Sequence, residues 1–150
     1  MWTLIYLLIA FIACSISALK DARTGEIPNK ITYPLIIVGF ILSLFPGMFL
    51  NIVYGIIFLM ISYWFYKRKL FGGGDIKLIL GLILLNPTTD IVFICWWLLY
   101  ACVIAIVFYA YKYYIKKERG KTAETLRFGV PLFISMFIII LQNFLPLILG

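Results

Sequence analysis

The sequence predicts an all-α membrane protein in which six helices cross the bilayer as one bundle. Hydrophobic residues make up 65% of its 150 residues, and its mean hydropathy is +1.10, whereas a soluble domain is about 45–50% apolar. Lipid cannot satisfy backbone hydrogen-bonding groups, so helices are expected of an open chain that crosses it. We expect residues 1–150 to form a single integral-membrane domain, because the chain is too short for a second bundle.

Charges, prolines and glycines divide the chain into six apolar segments. A membrane helix needs about 20 residues, with a range of about 17–25. No basic region precedes the first segment, so we expect a retained membrane helix there and not a cleaved signal peptide. Pro46-Gly47 predicts a turn after the second segment, and Asn86-Pro87 ends the short fourth one. The segments comprise approximately residues 1–19, 31–45, 47–66, 75–85, 90–115 and 128–149.

The positive charges lie on one predicted side of the membrane. All 13 Lys and Arg residues fall at or beside the loops after the first, third and fifth segments, and the opposite side carries one ionisable side chain, Asp90. The positive-inside rule then predicts that these three loops are cytoplasmic and that both termini are outside. The net charge of +7 is accounted for by contact with anionic membrane lipid, and nucleic-acid binding is not expected.

The chain contains no histidine. This excludes Ser–His and Cys–His nucleophile pairs and His-ligated zinc, and we expect neither a metal nor another cofactor. The three cysteines lie in apolar stretches without a C-x-x-C pair, as small buried hydrophobic residues do. Any acid–base chemistry must therefore use Asp, Glu, Lys, Tyr or Cys.

Two aspartates are predicted to lie at the same depth. Asp21 follows the first segment, and about 20 helical residues at about 1.5 Å each carry it to the inner membrane edge. Asp75 opens the fourth segment, which enters from that edge. If these segments touch, the carboxylates can share a proton. One could then act as a base on water while the other donates to a substrate carbonyl, as in aspartyl proteolysis.

Two polar stretches surround these aspartates. Gly72, Gly73 and Gly74 precede Asp75, and such a flexible loop lets the backbone bend, approach another backbone closely or pair with an extended peptide. The plainer interpretation is a loop–helix junction with Asp75 as the N-cap. After Asp21 the chain continues to Ile27-Pro28-Asn29, which predicts a turn before the next helix.

At these residues the chain resembles the type IV prepilin peptidases, membrane aspartyl proteases that include the archaeal preflagellin peptidases. The matching residues are Asp21, Ile27-Pro28-Asn29, Gly72-Gly73-Gly74-Asp75, Lys77 and Phe128-Gly129-Val130-Pro131. The resemblance implies an endopeptidase of the cytoplasmic (inner) membrane with Asp21 and Asp75 as its catalytic pair. Its substrate would be a prepilin, pseudopilin or archaellin-like precursor, which loses its basic leader at the cytoplasmic face.

The resemblance also implies a short form of the family. Many bacterial members carry an N-terminal cytoplasmic part with cysteine pairs, which is linked to methylation of the product. This chain begins directly with the first segment, so methylation is expected to fall to another enzyme or to be absent. For Lys77 two places are open: beside Asp75, where its charge would favour the ionised carboxylate, or at the membrane interface.

Three other interpretations of the sequence remain open. A protease of the presenilin kind also uses Gly-x-Gly-Asp, but its aspartates lie within transmembrane helices. A small cation-coupled transporter or channel could use the same acidic pair, although neither an internal repeat nor a pair of interrupted helices is evident. A membrane scaffold without catalytic activity would need neither aspartate.

Overall fold

The computed structural model describes residues 2–25, 27–68, 72–86, 91–114 and 129–149, and all regular structure in these ranges is helical. The prediction of an all-α fold with six helices is therefore confirmed. Among these residues, α3 is the one helix long and apolar enough by itself to span a bilayer, and shorter apolar stretches lie in α2, α5 and α6. The helices are α1 (Trp2–Thr24), α2 (Asn29–Ser43), α3 (Leu50–Lys67), α4 (Gly73–Leu85), α5 (Ile91–Tyr114) and α6 (Gly129–Leu149).

Helix α1 continues beyond the predicted end at residue 19. It runs to Thr24, because no residue before Gly25 prevents helical geometry. Gly25 has a φ of 74°, and its amide donates to the carbonyl oxygen of Asp21 at 2.9 Å, as glycines that end helices commonly do. Asp21 therefore lies in the last turn of α1, beyond the predicted apolar segment but still within the helix.

Helix α4 lies between α2 and α3. Gly39 of α2 and Gly81 of α4 allow close approach: a Cβ on Gly39 would lie 2.8 Å from Leu84 Cβ, and one on Gly81 would lie 2.9 Å from Leu35 Cβ. Gly55 of α3 packs against the other side, where its added Cβ would lie 3.2 Å from Leu80 Cδ1. Small residues let membrane helices pack closely in this way.

The C-terminal end of α4 is held by polar side chains of α1, α2 and α3. With 13 residues at about 1.5 Å each, α4 is about 20 Å long, so it ends among other helices and its last carbonyls need donors. The Tyr6 hydroxyl of α1 donates to Leu82 O at 3.3 Å, and Ser43 of α2 donates to Leu84 O at 2.8 Å. Asn51 of α3 donates to Asn86 O.

Helix α1 packs mainly against α6, which in turn packs against α5. The Phe11 ring lies 5.4 Å from the Phe133 ring and 6.2 Å from the Phe137 ring, measured between centroids. The helices thus form two packed groups, α2–α3–α4 and α1–α5–α6, and α1 contacts α4 where the groups meet. Asp21 and Asp75 come from the two different groups.

Candidate active site

Asp21 is held at the N-terminus of α6. Its carboxylate is 3% exposed, and the amide of Gly129, the first residue of α6, donates to Asp21 Oδ2 at 3.1 Å. The first amides of a helix lack partners within the helix and carry partial positive charge. The arrangement therefore satisfies one of these amides and favours the ionised form of Asp21.

Gly129 is required by close packing at this point. A Cβ added there would lie 2.9 Å from both Cβ and Oδ2 of Asp21, so any side chain would displace the carboxylate. Gly129 belongs to the Phe128-Gly129-Val130-Pro131 stretch that the sequence indicated, although its hydrogen bond to Asp21 was not predicted. Phe128 itself lies outside the described residues.

Asp75 lies in the first turn of α4 and is 5% exposed. Its Oδ2 accepts a hydrogen bond from the amide of Gly72 at 3.2 Å, which is the carboxylate half of a capping box. Gly72 is the N-cap, and Gly73 and Gly74 are the first helical residues. The interpretation as a flexible glycine loop is therefore wrong for Gly73 and Gly74, which are helical. The plainer interpretation, a loop–helix junction, agrees with the structure except that the N-cap is Gly72 and not Asp75.

The two carboxyl groups act on each other electrostatically. Burial, and after it the charge of Asp21, raise the pKa of Asp75 from 3.8 to about 7, although the hydrogen bond from the Gly72 amide opposes the rise. Asp75 therefore keeps its proton to a much higher pH than an exposed aspartate does, while contact with the α6 N-terminus favours negative charge on Asp21. A pair with one proton can supply a base and an acid at the same time.

The two sequence stretches around the aspartates contact each other directly. A Cβ on Gly74 would lie 2.9 Å from Ile27 Cβ and 3.1 Å from the Ile27 carbonyl oxygen. Ile27 is buried, and Pro28 after it has extended geometry, with φ −70° and ψ 135°, as the N-cap of α2. The extended Ile27-Pro28 segment therefore packs against the first turn of α4, beside Asp75.

Lys77 joins the first turns of α4 and α2. Its ammonium donates to Asn29 Oδ1 at 2.9 Å and to the Tyr33 hydroxyl at 3.3 Å, and it lies 4.8 Å from the centroid of the Tyr33 ring. Residues two apart on a helix face different directions, so Lys77 points away from Asp75. Of the two places left open for Lys77, the one beside Asp75 is not adopted, because its ammonium binds Asn29 and Tyr33 of α2.

The contact between Gly74 and Ile27 predicts different outcomes for neighbouring glycines. Gly74→Ala should destabilise the fold by about 1–3 kcal/mol, because the new methyl overlaps a buried side chain and a backbone carbonyl. Gly73→Ala is the matched control, since among the described residues its Cβ would meet only Tyr66 Cε2, at an ordinary 3.7 Å. Thermal unfolding of the purified variants measures the difference, and equal midpoints would contradict this account of the packing.

The described residues contain no cluster of three or more His, Cys, Asp or Glu side chains that could hold a metal ion.

Sequence reasoning did not single out one polar residue in α1, Ser17. Its spacing of four residues from Asp21 was the available signal, because such residues share one helix face.

Comparison with known protein families gives one match. The model of the type IV leader peptidase family matches residues 7–110, a range that contains Asp21, Ile27-Pro28-Asn29 and Gly72-Gly73-Gly74-Asp75. No curated protein and no solved structure matches the chain significantly. The family is membrane-associated and its members are aspartic-type proteases, which agrees with a pair of buried aspartates and confirms the resemblance noted in the sequence. The chain belongs to the type IV leader peptidase family.

Proposed function

We propose that this protein is a membrane aspartyl endopeptidase that removes the basic leader of type IV prepilins or prepilin-like proteins at the cytoplasmic membrane face. Family membership supports a leader peptidase in general. The observation that carries the proposed site is that two buried carboxyls, Asp21 in the last turn of α1 and Asp75 in the first turn of α4, come from two helices that contact each other. Burial and the charge of Asp21 raise the pKa of Asp75, which agrees with this arrangement.

The environments of the two carboxyls assign their roles. Asp21, which accepts the Gly129 amide, is the base that takes a proton from the attacking water. Asp75, protonated at and below about pH 7, donates to the carbonyl oxygen of the scissile peptide as the water oxygen bonds to its carbon. When the tetrahedral intermediate collapses, the C–N bond breaks and Asp21 gives its proton to the leaving amine. Asp75 recovers its own proton as the carbonyl re-forms.

The membrane arrangement is part of the proposal. All six helices cross the cytoplasmic membrane as a single domain of residues 1–150, with both termini outside and the three basic loops inside. The apolar face of α3 supports this, because Ile56, Met60 and Ile61 are exposed as lipid-facing side chains would be. Asp21 lies in the last turn of α1 and Asp75 in the first turn of α4. With the three basic loops inside, the proposed topology therefore puts the pair at the cytoplasmic edge, outside the membrane-spanning parts.

This position suits a precursor with a basic leader followed by an apolar helix. The apolar helix can enter the lipid beside the bundle, which leaves the bond before it at the level of the two aspartates. Prepilins, pseudopilins and archaellin-like precursors all have this form, and they are the proposed substrates. The protein requires no cofactor for this reaction, since both proton transfers use its own carboxyls.

The direct test is cleavage by the purified protein in lipid nanodiscs. Each class of precursor is incubated with the protein, leader loss is followed on a gel, and mass spectrometry identifies the new N-terminus. The matched control is the same precursor already lacking its leader, which should remain intact. Cleavage between the leader and the apolar helix is expected for at least one class. Cation flux that depends on Asp21 and Asp75, with no cleavage of any precursor, would instead favour a transporter or channel.

A further inference from the structure

Ser17 differs from every other serine of this chain. All five serines lie within helices, where the hydroxyl usually bonds back to a carbonyl of the preceding turn. Four of them do so: Ser15 to Phe11 O at 2.6 Å, Ser43 to Gly39 O at 2.8 Å, Ser62 to Leu59 O at 3.1 Å and Ser135 to Leu132 O at 2.9 Å. Ser17 is the exception.

The Ser17 hydroxyl is fully buried, yet it has no hydrogen-bond partner among the described residues. The side chain is 0% exposed, and Oγ is one of the few buried polar side-chain atoms without a protein partner. Leaving a buried hydroxyl unpaired costs about 1–3 kcal/mol. In a helix, a carbonyl of the preceding turn is within reach of a serine hydroxyl. The Ser17 hydroxyl is therefore oriented away from that carbonyl.

The positions of Tyr6 and Asp21 on α1 indicate which face of this helix carries Ser17. Residues of an α-helix advance by about 100° each, so Ser17 lies about 20° from Tyr6 and about 40° from Asp21 around the helix axis. Tyr6 donates to Leu82 of α4, and Asp21 acts electrostatically on Asp75 of α4. Ser17 therefore lies on the face of α1 that is directed toward α4, one turn from Asp21.

Asp75 of α4 carries a second unpaired atom. Asp75 uses Oδ2 to accept the Gly72 amide, while its Oδ1 is buried without a hydrogen-bond partner among the described residues. A buried carboxylate oxygen accepts hydrogen bonds only, whereas a hydroxyl can both donate and accept. A water molecule that accepts from Ser17 and donates to Asp75 would satisfy both groups, as buried waters with two to four polar partners commonly do.

We propose that Ser17 is a positioning residue of the aspartate pair, joined to Asp75 Oδ1 through one buried water. This inference rests on the proposed function for its catalytic consequence only. Ser17 fixes the orientation of the Asp75 carboxyl, so that Oδ1 faces α1 and Asp21 while Oδ2 remains on the Gly72 amide. Because the bridging water donates to the ionised carboxylate, it also favours that form of Asp75.

The test compares Ser17→Ala with Ser15→Ala. The second variant is a matched control, because it removes a hydroxyl two residues away that already bonds to a carbonyl of its own helix. Infrared titration of the protonated carboxyl stretch reports on Asp75 without turnover, and its absence in Asp75→Asn assigns the band. In Ser17→Ala the midpoint should rise by about half to one pH unit, and in Ser15→Ala it should not move. Ser17→Cys keeps the size of the side chain with a weaker donor, and its midpoint should rise as well.

The other ionisable side chains described around this end of α4 are unchanged in these variants. They are Asp21 on α1, Tyr33 on α2, Tyr66 on α3 and Lys77 on α4 itself. A midpoint that stays unchanged in Ser17→Ala, or that rises equally in Ser15→Ala, overturns the inference.

Cleavage kinetics provide the second readout. Ser17→Ala should lower kcat about tenfold with little change in KM, because a misoriented acid slows proton transfer without altering binding. A wild-type protein that cleaves no precursor would refute the proposed function, whereas the infrared result would still decide the role of Ser17. Wild-type kcat in Ser17→Ala would overturn the positioning role.

Discussion

Asp21→Asn and Asp75→Asn are each expected to lower the kcat of leader cleavage at least about 1000-fold. Asparagine has the size of aspartate and keeps an oxygen that can accept the Gly129 or Gly72 amide, so the packing of α1, α4 and α6 is retained. It cannot take or give a proton at neutral pH, and general acid–base groups contribute about 10²–10⁴-fold. Single-turnover cleavage in nanodiscs measures the loss.

The two substitutions should not be additive. In the proposed mechanism both carboxyls act on the same water and the same carbonyl, so the double variant should be about as inactive as either single variant. The third aspartate of the chain, Asp90, serves as the control, since the sequence predicts it on the opposite membrane face. Asp90→Asn should cleave at the wild-type rate, and more than about a tenth of that rate in either Asp21→Asn or Asp75→Asn would refute the assigned pair.

The pH dependence of cleavage should show a descending limb near pH 7. Burial and the charge of Asp21 raise the pKa of Asp75 to about 7, and the mechanism needs this carboxyl protonated. The rate should therefore fall about tenfold for each pH unit above this value, or about 100-fold by pH 9. Measurement of kcat between pH 5 and pH 9 tests this, and a rate that stays level to pH 9 would exclude Asp75 as the acid.

The same titration should appear in the stability of the protein. A carboxyl whose pKa is raised by folding binds its proton more tightly in the folded state. Its favourable contribution is complete below the unfolded value of about 3.8 and is lost as the pH rises through about 7. Asp75→Asn should therefore raise the free energy of unfolding at pH 9, by up to about 4 kcal/mol, and change it little at pH 4. Thermal unfolding at both pH values measures this difference, and a variant no more stable than wild type at pH 9 would contradict the raised pKa.

The helices were predicted well where their ends depend on local chemistry. Pro46-Gly47 was expected to turn the chain, and Gly47 has a φ of 91°, which glycine adopts readily. The end of α1 was predicted five residues too early because hydropathy falls at Lys20, whereas helical geometry continues until Gly25. Charge marks where a segment leaves an apolar region, and it does not by itself end a helix.

The sequence alone determined the helical class and the family, because apolar composition and short motifs can be recognised without knowledge of packing. It also singled out the two aspartates as the candidate pair. Only the tertiary structure decided what each motif residue contacts. It joined Asp21 to the start of α6, packed Gly74 on Ile27, directed Lys77 to α2 and left the buried Ser17 hydroxyl without a partner among the described residues. These contacts join residues far apart in the chain, so they depend on how the helices rotate and pack against one another, and no local pattern in the sequence encodes that.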